Sequence, residues 1–285
     1  MELLARVFDR LSGWWDSHDH QRAAGTLLIL SYVAALIAIE ARRRGWLPSS
    51  MAGLVPTSHF YAVDVAFTLL LLIEVVGLVL GLANSVAQSL GIQFEIFSLI
   101  LLRQTFKEFT HFAEPIAWAE VEHSLVHMAS DALGAVVVFA ALGWYYRLQR
   151  HQPITSADER ASFVAAKKAI ALVLLAVLVG IAVDDLRHWA GDGAVYPFFE
   201  VFYTVLIFSD VLIVLLSLRY SSTYHVVFRN SGFAVATVFL RLALAAPPLV
   251  NAAMGVGAVA AACALTVVYN RFPGVHPGEP GPVAG

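Results

Sequence analysis

Phe60-Tyr-Ala-Val-Asp-Val-Ala-Phe-Thr-Leu-Leu-Leu-Leu-Ile-Glu-Val-Val-Gly-Leu-Val-Leu-Gly-Leu82 is an apolar run long enough to cross a bilayer core, which takes roughly 20 helical residues. A run of that length, with Glu74 set in its middle, reads as a membrane helix. The rest of the chain repeats the pattern. Of 285 residues, 59% are hydrophobic and 14% charged, and mean hydropathy is +0.73. Soluble domains carry about 25% charged side chains, so this composition excludes a soluble globular protein. Further spans are predicted at Ala24–Glu40, Gln93–Phe109, Ile116–Tyr146, Ser162–Val183, Phe198–Leu218, Ser231–Ala246 and Val250–Tyr269. The expected fold class is therefore all-α: a polytopic membrane helical bundle of about eight transmembrane helices, forming one domain over residues 23–271.

Leu3, Leu4, Val7, Phe8, Leu11, Trp14 and Trp15 recur at helical spacing opposite Glu2, Arg6, Asp9 and Arg10. That pattern predicts an amphipathic helix lying in the membrane interface over residues 1–22. A basic region ahead of an uninterrupted apolar stretch is missing, so the start does not read as a cleaved signal. Residues 272–285 are rich in Pro and Gly, cannot bury a core and are expected to be disordered.

Charge sets the partners and the orientation. A net charge of -3, from 18 basic and 21 acidic side chains, leaves no basic field for a nucleic acid. With the amino terminus inside, eleven Lys and Arg fall on the cytoplasmic side. Six fall outside: Arg42, Arg43, Arg44, Arg103, Lys107 and Arg187. Eight spans then return the carboxyl terminus to the cytoplasm, which predicts a multi-pass protein of the inner (plasma) membrane. Cys263 is the single cysteine, so neither a disulfide framework nor an iron-sulfur site can be built within one chain. No Gly-x-Ser-x-Gly elbow supports serine hydrolase chemistry, and no paired histidine boxes support a di-iron oxygenase.

Phe94-Glu-Ile-Phe97 opens the third predicted span and Phe199-Glu-Val-Phe202 the sixth, 105 residues later. Residues 60–146 and 162–246 thus read as related three-helix units, and because three is odd they would be inverted relative to one another. A chance match between two apolar helices is the bland alternative.

Charges at membrane depth cost roughly 2.5 to 3.5 kcal/mol each on insertion scales and therefore face protein or water. Glu74, Arg103, Asp210 and Arg241 stand in spans two, three, six and seven. Two readings are open: buried ion pairs, Glu74 with Arg103 and Asp210 with Arg241, or carboxylates that titrate or bind an ion beside a balancing Arg.

The fourth span begins Ala119-Glu-Val-Glu-His-Ser-Leu-Val-His-Met-Ala-Ser-Asp131. At about 100° per residue, Glu120, His123, His127 and Asp131 fall within an arc of about 80° and make one polar stripe. Imidazole and carboxylate on adjacent turns suit a divalent metal such as zinc, with Asp185 and His188 at the end of span five expected to complete the site. Proton handling, a hydrogen-bonded seam between helices, and a haem axial role for one histidine are the other readings. Haem would need an opposing His, for which His59, His188 and His225 are the candidates.

The run His127-Met-Ala-Ser-Asp131-Ala-Leu-Gly-Ala-Val-Val-Val-Phe139, within residues 127–146, resembles the metal-binding helix of cation diffusion facilitators. That likeness implies His127 and Asp131 as metal ligands and proton-coupled divalent metal export as the activity. Residues 197–271 combine an aromatic-acidic helix start, His225, a mid-membrane Arg241 and a final small-residue helix. They are similar to the phosphate-starvation-inducible PsiE-like membrane proteins, and this likeness implies a fold but no activity.

Taken together, these residues predict a transporter or channel for a small cation, either a divalent metal or a proton, through the stripe on span four. The alternative is a non-transporting subunit or scaffold, as a homo-oligomer or within a larger membrane complex, binding haem or metal.

Overall fold

The computed structural model describes residues 2–48, 53–83, 86–112, 114–149, 157–192, 198–220 and 224–272. The described residues form nine α-helices, one short 3₁₀ turn and no strand. In chain order they are α1 (Glu2–Trp15), α2 (His18–Arg43), α3 (Phe60–Gly81), α4 (Val86–Lys107), the 3₁₀ turn (Glu108–His111), α5 (Trp118–Leu148), α6 (Ala157–Asp192), α7 (Phe198–Tyr220), α8 (Tyr224–Ala245) and α9 (Val250–Asn270). All but α1 and α4 contain a segment long and apolar enough to cross a membrane.

Local chemistry places the breaks. Ser17 caps α2, its hydroxyl accepting from the backbone N–H of His20 at 3.3 Å, and this separates α1 from α2 within the region read as one interfacial segment. Gly45, at φ +72°, takes the left-handed conformation that follows α2. Pro247 and Pro248 part α8 from α9, since neither has an N–H to continue a helix.

The helix α1 packs on the bundle. Leu3, Leu4, Val7, Leu11 and Trp14 are exposed, as the amphipathic pattern requires, but Phe8 is buried in the bundle and Asp9 pairs with Lys168 of α6 at 2.6 Å. The carboxyl-terminal residues 273–285, expected to be disordered, lie outside the described residues.

Two apolar clusters hold the bundle together, and α4 belongs to both. One gathers Leu71, Val75 and Leu78 of α3 with Leu174 of α6 and Phe202 and Leu206 of α7. The other gathers Val138 and Leu142 of α5 with Phe233 and Leu240 of α8 and Ala258 and Ala262 of α9. From α4, Ile96 and Ile100 enter the first, and Phe94, Phe97 and Leu101 the second. This central place explains why α4 falls short of the spanning helices in apolarity. Wrapped by α3, α5 and α8, it can turn Ser89, Gln93 and Ser98 toward protein instead of lipid.

The helix α4 also begins at Val86, earlier than the Gln93 predicted from hydropathy, because Gln88, Ser89 and Gln93 dilute its first two turns. The Phe94–Phe97 motif therefore starts at the ninth residue of its helix, whereas Phe199–Phe202 starts at the second. Both motifs turn Glu outward and bury the second Phe, and both α4 and α7 pack on the helices before and after them.

Candidate functional site

The charges of the bundle interior meet where α4, α6, α7 and α8 come together. Asp210 of α7 and Arg241 of α8 are both buried, with Arg241 Nε 3.5 Å from Asp210 Oδ2. Arg241 Nη2 donates to Oε1 of Gln93 on α4 at 3.0 Å. Lys167, one of the largest fully buried side chains, reaches the same region from α6 and has its Nζ 5.4 Å from the Phe163 ring centre. Beside these groups lies a cavity of about 30 Å³, lined by Ser89, Gln93, Lys167, Asp210 and Thr237 and, on its apolar side, by Leu82, Ile213 and Phe233. By the roughly 10–15 Å³ that one buried water requires, it holds about two. Leu82 caps the end of α3 and Ser89 stands in the first turn of α4, so the cavity lies toward the α3–α4 end of the bundle.

The second expected pair, Glu74 with Arg103, does not close to a salt bridge, although the two lie within electrostatic reach of each other. Arg103 Nη1 instead donates to the Phe67 carbonyl at 3.2 Å, two turns along α3 from Glu74. Glu74 Oε2 and Arg103 Nε are buried without a hydrogen-bond partner. The buried phenol of Tyr203 lies within electrostatic reach of Arg103, Arg241 and Glu74, linking this region to the Asp210–Arg241 pair.

The span-four stripe resolves differently from the expected metal site. Asp131 is 1% exposed and has Glu108, His127 and Asn251 within electrostatic reach, and its Oδ1 has no hydrogen-bond partner. Glu108 of the 3₁₀ turn stands between two histidines, 3.8 Å from His127 Nδ1 and 3.6 Å from His111 Nδ1. Next to them Asn251 of α9 donates to Gln104 of α4. The side chains of Glu120 and His123 lie outside the described residues.

Asp185 and His188 are not brought to the stripe. They stand on α6, which packs on α7, α1 and α3, while α5 packs on α4, α9 and the 3₁₀ turn. His188 is exposed and 3.7 Å from Asp184 one turn away. Position near one membrane face does not by itself make two helices neighbours. Among the described residues, no three His, Cys, Asp or Glu side chains come close enough to hold one metal ion. The histidines considered as haem ligands each engage other neighbours: His225 stacks near Tyr269 and Phe272, and His59 joins a network at the far end of α2.

In that network Arg43 Nη1 lies 2.8 Å from Glu114 Oε2 and 2.9 Å from His59 Nδ1, and His59 Nε2 lies 3.3 Å from Glu40 Oε2. The backbone N–H of His59 donates to Glu114 Oε1 at 2.6 Å. His59 Nδ1 also lies 3.1 Å from Glu114 Oε2. Burial pushes the Glu114 carboxyl up, but hydrogen bonds from His59, the nearby His59 charge and the Ser58 hydroxyl outweigh it, holding the carboxyl below its usual range. A lowered carboxylate contributes stability above its unfolded value of about 4.5 and loses it as pH falls through the lowered value. Glu114→Gln is expected to cost about 1 kcal/mol or less at pH 7, since the pair is partly exposed. That difference in thermal stability shrinks below pH 4.5, measured as melting midpoints against pH.

Compared with protein-family models, with curated proteins and with solved structures, the chain matches none at a significant level.

Proposed function

We propose that this membrane protein is a carrier for protons, working through the cavity bounded by Lys167, Asp210, Gln93 and the adjoining Arg241. The observation that carries this reading is the convergence of three buried charges from three helices on a water-sized space inside a bundle with seven helices of spanning length. Ionisable groups at membrane depth are costly and mark ion and proton pathways. Of the two small cations considered from sequence, the proton fits the donor set better. Ammonium and guanidinium groups do not ligate a divalent metal, and two cationic side chains repel one. The Asp210 carboxylate can exchange a proton beside Arg241, which keeps the pair from carrying an unbalanced negative charge when the proton leaves. In the orientation favoured by the Lys and Arg distribution, the cavity lies toward the cytoplasm.

The test is purified protein in proteoliposomes with a trapped pH dye and an imposed pH gradient. Asp210→Asn is expected to lower dye-reported proton flux at least about 10-fold, the loss of an essential proton-exchanging group. The His127→Ala, Asp131→Ala double variant is expected to retain it. Loss in the second with retention in the first places the path at the span-four cluster. A folded protein with no flux under any gradient turns the assignment to a non-transporting membrane subunit.

A further inference from the structure

We infer that Glu74 is a second proton-exchanging carboxylate, set deeper in the bundle than the Asp210 cavity and joined to it by way of the Tyr203 hydroxyl, an inference that rests on the proton-carrier reading above. The cavity lies toward the α3–α4 end. A proton that enters there needs acceptors further along the bundle.

Three helices place such a group at a consistent distance. Glu74 lies eight residues before Leu82 on α3, Tyr203 seven before Asp210 on α7, and Arg103 ten after Gln93 on α4. At 1.5 Å per helical residue these are about 12, 10 and 15 Å. On α3 and α4 the path leads away from the loop that joins them, and Tyr203 comes within electrostatic reach of both Glu74 and Arg103 there. Two turns apart, Tyr203 and Asp210 share one face of α7. The surroundings are apolar. Leu71 and Val75 adjoin Glu74, Ile100 lies one turn before Arg103, and Phe202 and Leu206 adjoin Tyr203, all five buried in one cluster. A carboxylate and a guanidinium enclosed in this way are costly, and such groups mark proton pathways.

Glu74 Oε2 and Arg103 Nε are buried and make no hydrogen bond. A buried pair that holds two helices together does so through direct, well-aligned contact, and this one is left open. Arg103 thus balances the carboxylate while Oε2 stays available to a proton. The Tyr203 phenol stands between the two carboxylates, since Asp210 and Tyr203 both lie within reach of Arg241. It can accept and donate at once. In the transfer an O–H bond breaks at Asp210, the phenol oxygen takes up one proton and releases its own, and an O–H bond forms at Glu74. Water completes the chain where these groups do not touch. Asp210 is left ionised beside Arg241, and the Glu74–Arg103 pair gains one positive charge. The step therefore moves charge, and a membrane voltage drives it.

The charged and titratable groups facing the transfer are Glu74 and Asp64 on α3, Arg103 on α4, Tyr203 and Asp210 on α7 and Arg241 on α8, with Lys167 of α6 at the cavity. Asp64, in the second turn of α3, lies within electrostatic reach of Arg103 and continues the series toward the far end of the bundle.

The experiment uses the full chain in proteoliposomes with a trapped pH dye, equal pH on both sides and a lumen-negative voltage set by potassium and valinomycin. The voltage is expected to acidify the lumen. Glu74→Gln and Tyr203→Phe are each expected to lower this flux at least about 10-fold, with melting midpoints near that of the parent protein, and Glu74→Asp to recover a large part of it. If Glu74→Gln fails to fold, Tyr203→Phe, which removes a single hydroxyl, carries the test. Parent-like flux in folded Glu74→Gln or Tyr203→Phe, with flux lost in Asp210→Asn, overturns the second station and leaves the proton carrier standing. Flux that follows a pH gradient but ignores the voltage has the same meaning. Absence of proton flux in the parent protein under every gradient overturns both.

Discussion

Replacing Gly255 by Leu is expected to lower the thermal stability of the bundle by about 3 kcal/mol, among the largest effects of a single small-residue change in this chain. Gly255 stands in α9 against Phe97 of α4, and a Cβ at that position would overlap the Phe97 ring. Phe97 is buried, so its ring has little room to retreat. Between helices in lipid, attraction comes from close packing and not from expulsion of water, so a glycine that admits a ring sets how near two helices approach. Gly255→Ala tests the same contact more gently. A gain in helix propensity of up to about 1 kcal/mol works against the overlap, leaving a smaller net loss. Combining Gly255→Ala with Phe97→Leu is expected to recover most of that loss, read as a melting midpoint in detergent by fluorescence-detected gel filtration. A double variant no more stable than the sum of its single changes would show that Phe97 is not what Gly255 accommodates.

The helices were legible because membrane spans announce themselves by length and apolarity, and all eight expected spans correspond to helices of the bundle. Starts shift where polar residues open a helix: α4 begins at Val86 against the predicted Gln93, and α8 at Tyr224 against Ser231. Hydropathy reports exposure to lipid, and a helix surrounded by protein is released from that demand. The same physics hid the site. Asp210 and Arg241 were visible as intramembrane charges, and so was their pairing, because both had to be buried and opposite charges were few. Lys167 stands five residues inside the predicted span Ser162–Val183, and that depth is the signal that the sequence offers for it. Gln93 carries no charge and was read only as the edge of a span.

Helical periodicity puts His127 and Asp131 on one face, and both lie within electrostatic reach of Glu108. It could not say which helix lies opposite. The partners come from the 3₁₀ turn and from α9, not from Asp185 and His188, because neighbour relations between helices depend on packing that no single-helix pattern encodes.

Arg241→Met is expected to destabilise the protein by about 3–5 kcal/mol, since it leaves the Asp210 carboxylate buried without its cation and Gln93 Oε1 without its donor. Restoring the balance need not restore the charges. Buried pairs are often replaced by apolar side chains of similar size at little cost, so the Asp210→Leu, Arg241→Met double variant is expected to melt close to the parent protein. Its proton flux should nevertheless be absent. This pattern, stability recovered and transport lost, separates the two readings that the intramembrane charges admit. A pair retained only to fix helix register would be dispensable once the core is repacked, and the double variant would then conduct like the parent. A pair retained to exchange protons cannot be replaced by methylene groups, however well they pack. The melting midpoint and the dye-reported flux, measured on the same three preparations, therefore distinguish a structural salt bridge from a working one.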